Sequence, residues 1–210
     1  MTTIHRYSYL ALCGIILVGC QSDSAPSTNT AKAPAPGATS NTSAKNGGSS
    51  VRRSVKTSTD LDASKIDLTA KETTIEDIVG QKAPEKLAGR QGPFETSTWQ
   101  VKARLKSVQL MKDGDYYLVM KGEKGGQTVV EVPDPANCKG SPLEAQITEA
   151  RKQIEEKYHP TKDVQKIDDA ATVTGVGFLG WGKSSKAPKK GGESKVGARL
   201  MPGTGFKFGS

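Results

Sequence analysis

Histidine, cysteine and aromatic residues are scarce in this chain of 210 residues, and each shortage closes off a class of chemistry. Two histidines, His5 and His159, cannot build a histidine-rich zinc centre. Three cysteines (Cys13, Cys20 and Cys138) without any C-x-x-C spacing exclude a disulfide framework and a structural zinc site. Aromatics make up 5% and apolar residues 34%, so part of the chain lacks the means to build a core. Long hydrophobic runs are also missing. The only strongly apolar stretch is Tyr7 to Val18, too short for a bilayer core of about 30 Å, which needs roughly 20 residues.

What is present near that stretch is informative. Arg6 and His5 precede it and Leu17-Val18-Gly19-Cys20 follows it, the layout of a signal peptide over 1–19. The last four residues resemble the bacterial lipobox, whose cysteine receives a diacylglycerol and becomes the new N-terminus. The resemblance implies that Cys20 is the lipidation site. The membrane is then a partner through the lipid, since acyl chains contribute about 0.8 kcal/mol per buried CH₂. Gln21, where an inner-membrane retention signal shows Asp, implies the outer membrane of a bacterial cell envelope.

From Gln21 to Lys56 the chain is mainly Ser, Thr, Ala, Pro, Gly, Asn and Lys, and reads as a disordered spacer. Residues 20–92 are therefore expected to be a lipidated, mostly disordered tether, with one short helix near 74–80 capped by Thr74 and Gly80. A domain is expected over 93–210. Trp99, Val101, Ala103 and Leu105 alternate with polar residues, and then Val108 and Leu110 fall in the other register. A bulge near Lys106–Ser107 repairs that slip. "KDGD" and "EKGG" are hairpin turns. Ser141-Pro142-Leu143-Glu144 predicts a capped helix start, Pro160 ends the helix, and strands follow over 171–181 and 198–208.

The expected fold is mainly β with one helix, in the order β-β-β-α-β-β of a five-stranded OB-fold barrel. An SH3-like barrel or an α+β sheet has the same ingredients. From Trp99 to Phe208 the landmarks "WQVKARLKSV", "DGDYYLV", "EVPDPANC", "TVTGVGF" and "KF" resemble those of a group of uncharacterised bacterial proteins, many of them exported. The resemblance brings no activity. Where members of that group tend to carry histidines, this chain has Tyr117, the region of Gly182–Lys183, and Met201, so a site made of those histidines is absent.

No catalytic residue, metal ligand or cofactor is expected. His159 reads as a helix C-cap, Cys138 as a buried thiol, Asp168-Asp169 as a solvated loop, and the glycines of "GVGFLGWG" as permission for strand curvature. The charge is +8 overall. Residues 93–210 hold 19 Lys/Arg against 14 Asp/Glu, and Lys183 to Arg199 holds six basic residues against Glu193. Lys183, Lys186, Lys189, Lys190 and Lys195, with Tyr117, Trp181 and Tyr116 as stacking surfaces, form the expected ligand site. The expected function is a non-catalytic binding module for polyanionic envelope ligands, with nucleic acid left open. The alternative is a structural lipoprotein subunit that binds protein partners.

Overall fold

Strand β2 (Ser97–Leu110) is the hub of the fold. The computed structural model describes residues 47–84, 87–181 and 196–209. Val101, Leu105 and Val108 of β2 are completely buried while Lys102, Arg104 and Lys106 point away from the core. The register slips between Leu105 and Ser107 against both neighbouring strands, β3 (Tyr116–Lys121) and β5 (Gln165–Trp181). That is the bulge the broken alternation predicts: one extra residue keeps Leu105 and Val108 on the same inner face.

Two tight turns carry β2 into β3 and β3 into β4 (Gln127–Val132). In the first, Met111 N–H donates to Asp115 O and Gly114 adopts φ +88°. A side chain there would also lie 2.7 Å from Asp134 Oδ2, so glycine is required twice over. After β4 a 3-10 turn, Pro135–Asn137, leads to Cys138 and to helix α3 (Glu144–Tyr158). The helix opens later than its sequence signal suggests. Ser141 Oγ accepts the N–H of Leu143 inside a preceding turn, and the Glu144 carboxylate reaches back to the N–H of Gly140. Ile147, Ala150 and Ile154 are completely buried, and His159 closes the helix in the left-handed conformation, donating its N–H to Glu155 O.

Strand β5 begins at Gln165, upstream of the expected start at Ala171, because the ladder with β2 continues past the bulge to Ser107↔Lys166 and Val108↔Gln165. Asp168 and Asp169 therefore stand on a strand and not in a solvated loop. The register of β5 with β6 (Val196–Phe208) shifts around Gly175 and Gly177. At Gly177 a Cβ would sit 2.1 Å from the carbonyl oxygen of Phe94, so the 3-10 turn Phe94–Thr96 can approach only a glycine.

The strands run in the order β1 (Asp67–Thr73), β2, β3, β4, β6, β5, and the additional β2–β5 pairing closes β2 to β6 into ring-like hydrogen bonding. Strand β4 meets β6 in parallel at Val130↔Leu200. Strand β1 (Asp67–Thr73) lies outside the ring, parallel to the start of β2. The fold is thus mainly β, a six-stranded mixed sheet with α3 as its main helix. Leu105, Leu118, Met120, Val130, Ile147, Ile154, Val173 and Leu200 fill its centre. Each such side chain stabilises the fold by about 1.5–3 kcal/mol when fully buried.

The boundary at Pro93 falls inside this structure. Helix α1 (Gly47–Thr57) lies against β5 and β6, and α2 (Ile75–Val79) buries Ile75 and Ile78 in the core. Composition reads 47–57 as spacer because only valines are large and apolar there. The segment is held instead by Val55 and by charges that find buried partners.

Candidate functional site

Two charged surfaces flank the sheet. The first lies on the outer face of β2 where it meets β3 and β5. The pleat sends Lys102, Arg104 and Lys106 to that side, and Lys121 joins them from the end of β3. Together with Glu123 and Asp168 they line an open cleft of about 480 Å³. Arg104 Nε and Lys106 Nζ each lie 2.7 Å from the same oxygen, Asp168 Oδ1, and Arg104 also donates to the Asp168 carbonyl. Hydrogen bonds from these two cations pull the Asp168 pKa down to about 2. Arg104 and Asp168 are both more than half exposed, so water competes for the pair. Two cations converging on one oxygen is an arrangement that suits a carboxylate or phosphate oxygen, and here Asp168 supplies that oxygen.

The second surface lies beneath α1. Arg52 donates to both oxygens of Glu95, which is completely buried, and to the carbonyls of Gly89 and Leu179. Glu95 also accepts the N–H groups of Gln91 and Leu179, each at 2.6 Å. One turn further along the helix, Lys56 Nζ sits 2.5 Å from Asp115 and 2.6 Å from Glu131, with Asp113 at 3.5 Å. Arg199 reaches Glu131 at 3.3 Å. Burial opposes the Lys56 charge, but Glu131 and Asp115 outweigh it and raise its pKa. Between the two cations, Val55 packs with Phe178 and Met201.

Of the expected site residues, only Tyr117 and Tyr116 have described side chains. Tyr117 is half-buried on β3, and burial raises its hydroxyl pKa, against a lowering by Arg199. Tyr116 is buried with the Arg151 guanidinium 3.7 Å from its ring centre, so it offers no stacking surface. Trp181 ends β5, and its side chain lies outside the described residues, as do Lys183, Lys186, Lys189, Lys190, Lys195 and Cys20. Cys138 is completely buried, and burial pushes its thiol pKa up to about 11, which leaves no thiolate for chemistry near neutrality. Sequence reasoning took Lys102, Arg104 and Lys106 as the wet half of an alternating strand. Their spacing of two was itself the signal of a one-sided basic row.

Among the described residues, no group of His, Cys, Asp and Glu is placed to hold a metal ion, and no helix is long and apolar enough to cross a membrane. No protein-family model matches the chain, and neither a curated protein nor a solved structure matches it significantly.

Proposed function

We propose that this chain is a lipid-anchored protein of the bacterial cell envelope, held at the outer membrane through Cys20, whose β domain binds polyanions and catalyses nothing. The observation that carries the reading is the convergence of Arg104 and Lys106 on one carboxylate oxygen, in a cleft that Lys102 and Lys121 extend. Cations at alternate positions of a strand are spaced about 6.6–6.8 Å apart, which suits a chain of repeating negative charges. The lysines of 183–195 lie between β5 and β6 in sequence and add to the net positive charge of the chain.

We further propose that the ring is an OB-type barrel. Its five strands β2 to β6, the parallel contact between β4 and β6, and the position of α3 between β4 and β5 all suit that reading. In OB domains the loop between the last two strands borders the ligand face, which makes the basic stretch 183–195 a second candidate for anion contact, separate in sequence from the cleft.

The test titrates the full chain with single-stranded DNA, heparin and lipopolysaccharide at low and at physiological salt. Binding should weaken steeply with salt, and the log–log slope should fall by about one for each phosphate contact removed in R104A and K106A. An absence of binding at low salt would sink the polyanion reading. Mass spectrometry of the membrane-extracted protein tests the anchor, because C20S must lose the acyl chains.

A further inference from the structure

The segment from Gly47 to Asp60 is held along a seam whose partners all come from later in the chain. Arg52 reaches Gly89, Glu95 and Leu179. Val55 fills the gap at Phe178 and Met201, and Lys56 enters the carboxylates of Asp115 and Glu131. Asp60 receives the Arg90 guanidinium, which also binds Val55 O and Ser58 Oγ. Each of these partners is residue 89 or beyond.

The joint between this segment and the core is short. Ala63 N–H donates to Asp60 O at 3.0 Å, closing a turn with Leu61 and Asp62 at its tip. Ala63 and Ile66 are already in the core. Leu61 is 100% exposed, more than any other large apolar side chain described. Ser58, just before the joint, holds φ +52°, a left-handed backbone that a non-glycine residue adopts at a cost. The helix itself, "GGSSVRRSVKT", has glycines, serines and β-branched residues and no acidic residue in its first turn. A helix this short and of this composition is marginal on its own, so it exists because it is docked.

We propose that the segment is exchanged between two copies of this chain. In the resulting two-fold dimer, α1 of each copy docks on the carboxylate surface of the other. Lys56 and Arg52 of one copy then complete the other's ionic cluster. Every contact of the seam is kept, and only the turn at Leu61–Asp62 has to open. The two opened tips meet at the symmetry axis. There the Leu61 side chains, which water surrounds in the closed chain, gain an apolar neighbour. No other segment needs to move.

The test uses the full chain with two different affinity tags. Co-expressed wild-type chains should capture each other. K56E and E131K each break the seam within their own chain, but a mixed pair restores one Lys56–Glu131 contact and one reversed contact across the dimer. Capture between the two variants should therefore exceed self-capture of either by at least tenfold, in a complex with the mass of two chains. A second variant leaves the docking surface intact: deletion of Leu61 and Asp62 shortens the joint until α1 cannot reach its own notch. Light scattering should report that variant as a dimer. A deletion variant that stays monomeric, or a mixed pair no better than its singles while circular dichroism shows both folded, would overturn the exchange.

Discussion

The cleft on β2 and the seam under α1 use the same chemistry, cations against carboxylates, and differ in how far water reaches them. In the cleft the Arg104 and Asp168 side chains are 54% and 59% exposed. Under α1 the Glu95 and Asp115 side chains are 0% and 4% exposed. An exposed pair is screened and can be traded for an arriving anion. A buried pair cannot lose one member without leaving an uncompensated charge, so it ties a segment down. Accessibility, more than charge count, separates the cleft proposed to take anions from the joint under α1.

The largest loss of stability is expected at Glu95. Glu95→Ala strips four hydrogen bonds from a fully buried position and leaves the Arg52 charge with backbone carbonyls but no carboxylate. A loss of about 3–5 kcal/mol is expected in urea denaturation. A cost as small as that of a surface charge would mean that burial does not set the two regions apart.

Lys56→Met should cost less, about 1–3 kcal/mol, because Arg199 still serves Glu131 and Asp115 still accepts the N–H of Asp134. It also has a pH signature. The Lys56 pKa is raised by Glu131 and Asp115 against burial, so its contribution is complete below the ordinary lysine value of 10.5 and is lost as pH climbs above it. The wild type should therefore lose stability above pH 10.5 more steeply than the variant, with no difference in slope below it, as read from melting curves between pH 9 and 12.

The smallest effect on stability is expected in the exposed cleft. Asp168→Asn removes the resident carboxylate from the cleft and should leave the melting temperature unchanged while tightening heparin binding about two- to fivefold. Asp168 is depressed to about 2, so it stays charged and competes at any pH above its ordinary value of 3.8. The gap between variant and wild type should close only as pH falls toward 2, which a salt-matched binding series can follow.

Much of the sheet was legible because its signals are local. The change of phase between Leu105 and Val108 marked the bulge, Gly114 and Gly125 marked the turns, and Leu143, Ile147, Ala150 and Ile154 marked the helix. What escaped depends on partners far away in the chain. Arg52 and Glu95 are 43 positions apart, and neither looks buried when read alone. Strand β1 has six exposed residues in a row, so no alternation announced it. The basic cleft was half legible. Lys102, Arg104 and Lys106 declared a polar face, but only the ladder with β5 brings Asp168 between two of them.

The closed ring also imposes an order in time. Strands β2, β3 and β4 follow one another through tight turns and can pair as soon as they exist. Closure waits for β5, where Gln100 meets Thr174 across 74 positions, and for β6, which joins β4 to β5. Loop-closure entropy is spent before those contacts form, which puts such topologies toward the slow, millisecond-to-second end of folding rates. The early meander therefore stays open along one side until the last strand has been delivered, and the core is sealed late and all at once.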